Sequence, residues 1–165
     1  FGATNRAALI CADAIVVPLA PDLFSLQGLR NLGPTLREWR EQWQIRITQN
    51  PDSELILPPG LLKTIGYIIM QFGIRDSRPV KAYDRWSNQI PETYLESIHG
   101  DSTTQEDNCL AMLKHYRSLM PMAMQARKPV FDLKSADGAI GAHTYSAQES
   151  YGDFHRLAEK ILGRL

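Results

Sequence analysis

The side chains able to carry chemistry in this chain are present but unclustered. Histidines stand at positions 99, 115, 143 and 155 with no H-x-x-x-H spacing and no Cys/His pairing, so the pattern builds no zinc site. As lone residues they read as surface or hydrogen-bonded structural histidines. None of Lys63, Lys81, Lys114, Lys128, Lys134 or Lys160 follows a glycine, so no G-x-x-x-x-G-K-[ST] phosphate loop exists within these residues. G-x-G-x-x-G and G-x-S-x-G are absent too. Cys11 and Cys109 lack CxxC spacing, which fits reduced thiols in a cytosolic protein better than a secreted disulfide scaffold. Asp137-Gly138-Ala139-Ile140-Gly141 places glycines around an acid, the pattern of a loop bend. No catalytic residue emerges.

What remains is charge. The chain of 165 residues holds 18 Lys+Arg against 18 Asp+Glu, so any surface for an anionic partner must come from local clustering. Two clusters qualify. Arg75, Arg78, Lys81 and Arg85 share a window with only Asp76 and Asp84 against them, and Arg156, Lys160 and Arg164 recur every four residues near the C-terminus. Each suits phosphate binding without sequence readout, and each equally describes a solvated helix face. Between Glu92 and Asp107 the chain carries acids and no Lys or Arg, so a DNA-contacting surface would turn away from that stretch.

The elements that position these groups follow from apolar spacing. Thr4 and Asn5 suit the cap of a short helix through Ala12. Ala14-Ile15-Val16-Val17 and Ile65 to Met70 are continuous apolar runs, the pattern of strands buried on both faces in a parallel sheet. From Phe24, Leu26, Leu29, Leu32, Leu36, Trp39, Trp43 and Ile47 fall at steps of three or four, one stripe of a long helix, in which Gly33-Pro34 predicts a kink or a break. Helices are expected from Val80 to Asn88, Pro91 to His99, Asn108 to His115 and Leu119 to Ala126, with the Gly100 to Gln105 stretch as an exposed loop. Pro129-Val130-Phe131 predicts a third strand entered through proline. Phe154, Leu157, Ala158, Ile161, Leu162 and Leu165 form the apolar face of a last helix. Strands separated by helices predict one α/β domain over residues 1–165, a three-layer αβα sandwich with mainly parallel strands near 14 to 19, 65 to 72 and 129 to 132. No run of about 18 apolar residues offers a membrane-spanning helix.

Three ordered blocks carry a family resemblance. The stretch NRAALICADAIVVPLAPDLFSLQGL, from Asn5 to Leu29, resembles the ParA/MinD-type ATPases, P-loop NTPases in which such a segment follows the Walker B strand. Ile65 to Phe72 stands where that family has its penultimate buried strand. Pro121 to Phe131, then Ser135, then Tyr151 to Leu162, resembles the family's closing pattern. The resemblance implies a P-loop NTPase-like fold whose Walker A and Walker B residues precede the position of Phe1. The opening Phe1-Gly2-Ala3-Thr4, with no initiator Met, fits the same expectation of a C-terminal half. It further implies ATP and Mg²⁺ in the intact parent, a homodimer, nonspecific DNA and a ParB-like activator as partners, a cytoplasmic location, and no hydrolysis by this chain alone.

Carried over position by position, Gln71 would place an amide against the adenine, where the family more often has Asn. Met120 and Pro121 would pack on the base, although Met120 also fits a plain core role. Asp22 and Ser25 match the region facing the dimer partner, and both also read as N-caps. The basic groups Arg75, Arg78, Lys81, Arg85, Arg156, Lys160 and Arg164 would supply the DNA surface. The alternative is a stand-alone, non-catalytic interaction module derived from the same fold.

Overall fold

In a computed structural model, residues 2–52, 54–72, 74–75, 78–79, 81–99 and 107–165 are described, with side chains described for these except 71–75, 78–79, 81–83 and 99. Helix α1 (Ala3–Cys11) leads into strand β1 (Ala14–Leu19), helix α2 (Leu23–Thr48) and strand β2 (Lys63–Phe72). A two-stranded hairpin, β3 (Ile74–Arg75) with β4 (Arg78–Pro79), precedes α3 (Lys81–Ser87) and α4 (Ile90–Tyr94), which runs on as a π-turn over Leu95–His99. Strand β5 (Cys109–Lys114), α5 (Met120–Ala126), two 3-10 turns and α6 (Ala142–Leu162) complete the chain.

The main sheet is parallel, in the order β1-β2-β5. Its side chains alternate between two packed faces, as strand geometry requires. Val17, Leu19, Tyr67 and Ile69 pack with Leu26 and Leu29 of α2 and with Ile90 and Tyr94 of α4. Val16, Ile68 and Met70 turn the other way, onto Phe154, Leu157 and Ile161 of α6. Helices therefore cover both faces of an open three-stranded sheet, the mixed α/β arrangement expected from the strand-helix alternation. The central strand β2 is buried from Ile65 to Ile69, as its continuous apolar run predicts. Strand β1 lies at the sheet edge and exposes Pro18, so it is not buried on both faces; an edge is where a strand tolerates proline.

Four expectations need correction. The third strand is Cys109–Lys114, where helical spacing was expected, and 129–131 is not a strand. Tyr67 pairs with Cys109 but Ile68 with Ala111, so one extra residue, Leu110, bulges from β5. That bulge puts Leu110 and Leu113 on the same α6-facing side, and a step of three imitates a helix. Pro129 instead opens a 3-10 turn, closed by the Asp132 amide donating to the Pro129 carbonyl at 3.0 Å, and Phe131 packs on Phe154 with ring centroids 5.1 Å apart.

Second, α2 is a single helix through Pro34, so the break into two helices does not occur. Gly33 has another purpose: it is buried, and a Cβ there would lie 1.7 Å from the Ser97 carbonyl oxygen, so α2 and the π-turn touch backbone to backbone. Third, Thr4 and Asn5 lie inside α1, whose cap position is Gly2 without a side-chain bond. Fourth, the apolar stripes are narrower than their spacing suggests: Phe24, Leu162 and Leu165 are exposed. Of the expected 100–105 loop and the acids Asp101 and Glu106, all lie outside the described residues.

Candidate functional site at the carboxyl edge of the sheet

Parallel strands end together, so the segments after β1, β2 and β5 share one edge. After β1, the Asp22 carboxylate accepts from the Ser25 amide at 2.7 Å, and the Ser25 hydroxyl accepts from the Ala20 amide at 3.0 Å. Both residues thus hold the turn into α2 as capping groups, the simpler of their two readings. Beside them Leu23 and Phe24 are exposed, Phe24 by 86%.

Strand β2 delivers the backbone of Gln71 to this edge, and its neighbour Phe72 registers with Lys114 at the end of β5. The side chain of Gln71 lies outside the described set. A short turn beyond Lys114, Leu119 is wholly buried and anchors α5, whose first residue, Met120, is 44% exposed, with Pro121 exposed next to it. Met120 is therefore not a core residue. Its thioether is free to form an apolar platform.

A polar network at the same edge has no counterpart in the sequence reading. The Lys114 ammonium donates to the Glu149 carboxylate on α6 and lies 5.0 Å from the ring centroid of Tyr116. The Tyr116 hydroxyl donates to Asp153 Oδ2 at 2.5 Å, and Asp153 Oδ1 accepts from Arg156 at 2.5 Å. Burial, and then the hydrogen bond to Asp153, push the Tyr116 hydroxyl far above its ordinary range, so it acts as a donor and not as an acid-base group. These partners are 35 and 37 residues apart. No local spacing signals such pairs.

The basic candidates separate into different situations. Arg75 and Arg78 face each other across the β3–β4 hairpin, and Lys81 opens α3; their side chains lie outside the described set. Arg85 is exposed, its guanidinium 5.0 Å from the Trp86 ring centroid. Of the C-terminal stripe, Arg156 is paired with Asp153 and Lys160 is exposed. Arg164 reaches the opposite, amino edge of the sheet, where it donates to the carbonyls of Ile65 and Asp107. The stripe is regular in sequence, but its residues have different partners in the fold. Cys11 and Cys109 are free thiols.

Among the described residues no group of three or more His, Cys, Asp or Glu is placed to hold a metal ion, and no helix is long and apolar enough to cross a membrane. No family model matches the chain, and no curated protein or solved structure matches it.

Proposed function

We propose that this chain is the C-terminal part of a ParA/MinD-like ATPase, a nucleotide-driven dimerising switch, and that it supplies the base-facing edge of the nucleotide site. One observation carries the reading: candidates from three separately matching blocks, Asp22 with Ser25, Gln71, and Met120 with Pro121, converge on the carboxyl edge of one parallel sheet. Open α/β sheets take ligands at that edge. A half-exposed methionine is a fitting apolar platform for a purine, and an amide at Gln71 offers donor and acceptor to its edge. Exposed Leu23 and Phe24 beside the Asp22 cap suit a face that a second protomer would cover.

ATP would therefore meet this chain at its base, while the phosphates and Mg²⁺ would belong to residues ahead of Phe1; this chain alone would not hydrolyse ATP. Nonspecific DNA would contact Arg75, Arg78, Lys81 and Arg85. The backbone register of the hairpin, which sets position 75 opposite position 78, brings two basic positions of the window together. A second reading, a stand-alone non-catalytic interaction module, is favoured by the covering of both faces of the three-stranded sheet by this chain's own helices. The coding sequence upstream of Phe1 separates the two. A G-K-G-G-x-G-K-[ST] motif ahead of a hydrophobic strand ending in Asp is expected; a start codon next to Phe1 would overturn the ATPase reading and leave the module.

A further inference from the structure

At the amino edge of the sheet, away from the nucleotide edge proposed above, a cleft of about 940 Å³ opens between α2, the starts of β2 and β5, and the end of α6. Four cations line it, from three different elements: Arg37 and Arg40 from α2, Lys63 from β2, and Arg164 from just beyond α6. None of them was singled out as a group by sequence, because they are separated by up to 127 positions, 164 − 37.

Their heads are held in place by main-chain carbonyls. Arg37 donates to Ser97 O at 2.9 Å, Arg40 to Leu62 O at 2.6 Å, and Lys63 to Arg164 O at 3.4 Å. Arg164 donates to Ile65 O at 2.8 Å and to Asp107 O. These bonds use one or two of the five N–H donors of each guanidinium, so most donor capacity is left over. None of the four forms an ion pair with a carboxylate among the described residues. The one described acid in the lining, Asp107, accepts from the Cys109 amide at 3.1 Å.

Neutralising the carbonyls at the end of α6 accounts for Lys63 and Arg164 at most. Arg37 is bound to Ser97 O in the π-turn, a second helix end, whereas Arg40 is bound to Leu62 O in the segment before β2 and has no helix end to neutralise. Four like charges converging on one concavity repel one another unless an anion joins them. Planar guanidinium forks, here from α2 and from just beyond α6, match phosphoryl oxygens bidentately. Thr64 and Asn108 add polar groups to the lining.

We infer that this cleft is a binding site for an anion carrying at least two phosphoryl groups. The inference does not depend on the ATPase reading, since it uses a different edge of the sheet and different residues. The probe is inorganic pyrophosphate, titrated into the protein at low ionic strength in a calorimeter. Saturable binding is expected, weakening with added salt. Arg40→Gln is expected to raise the dissociation constant about tenfold, Lys63→Gln by several-fold, and Arg40→Lys by an intermediate factor because it keeps the charge and loses the fork. Arg117→Gln, at an exposed arginine outside the cleft, leaves binding unchanged. Lys63 is exposed and its one bond is long, so its variant serves if Arg40→Gln fails to fold. Short duplex DNA added in competition identifies the source: displacement of pyrophosphate marks a nucleic-acid backbone, and no displacement marks a free phosphorylated molecule. Absence of saturable binding, or equal binding by wild type, Arg40→Gln and Lys63→Gln, overturns the assignment.

Discussion

Gly33→Ala tests the packing that joins α2 to the π-turn. A Cβ at this position would lie 1.7 Å from Ser97 O and 2.5 Å from Ser97 C. Non-bonded carbons rest at about 3.5–4.0 Å, so the two backbones would have to part by roughly 1.5 Å. Both sides are backbone, one a helix interior, and no rotamer change relieves the contact. Overpacking of this kind costs about 1–3 kcal/mol, and stretching the Arg37 bond to Ser97 O removes about 1 kcal/mol more. Against this, alanine is favoured over glycine in a helix by about 1 kcal/mol. The balance is a net destabilisation of about 1–3 kcal/mol, taken from the two costs less the propensity gain. Gly28→Ala on the same helix is the control: nothing lies within 4 Å of its Cβ. It should gain up to about 1 kcal/mol. Equilibrium urea unfolding reads both, as midpoint shifts of opposite sign at unchanged slope. A Gly33→Ala protein as stable as wild type would refute the close-packing argument.

Pro34→Ala returns an amide donor to the Arg30 carbonyl in the uninterrupted, exposed helix interior, and should stabilise the protein by about 1–3 kcal/mol in the same urea assay. Burial pushes the hydroxyls of Tyr67 and Tyr94 upward, with a Thr64 hydrogen bond drawing Tyr94 partly back. In the unfolded chain both release their protons near pH 10, so above that pH the unfolded state binds fewer protons and stability falls. The loss is at most about 1.4 kcal/mol per pH unit for each tyrosine, visible as a falling urea midpoint with tyrosinate absorbance appearing only on unfolding. Burial, then the Asp107 carboxylate, raises the Cys109 thiol, whereas Cys11 is exposed. A maleimide at mildly alkaline pH should therefore modify Cys11 first and Cys109 only slowly until denaturant is added, followed by peptide mass spectrometry.

The central strand was legible because Ile65 to Met70 is apolar without interruption, and a strand inside a two-faced sheet needs little else from its sequence. Helix α2 was legible from its stripe, but Gly33-Pro34 reads as a breaker only while its environment is unknown. The π-turn at Ser97 that demands the glycine is 64 residues away, 97 − 33. Gly66 carries the same lesson inside β2: its φ of +145° belongs to glycine, and a Cβ would lie 2.6 Å from Asn108 O, where the register with β1 also shifts. Strand β5 was misread because a bulge resets alternation to a step that helices share. At the carboxyl edge, the Asp22 and Ser25 caps are local and were readable, whereas Lys114 with Glu149 and Tyr116 with Asp153 meet only through folding. The amino-edge cations are hidden for the same reason.

The proposed switch is tested most directly by sedimentation velocity on the product of the entire reading frame that contains this chain, with Mg²⁺ and either ATP or ADP. A monomer with ADP that becomes a dimer with ATP is the predicted result. The same association state with both nucleotides, together with no measurable ATP binding, would contradict it.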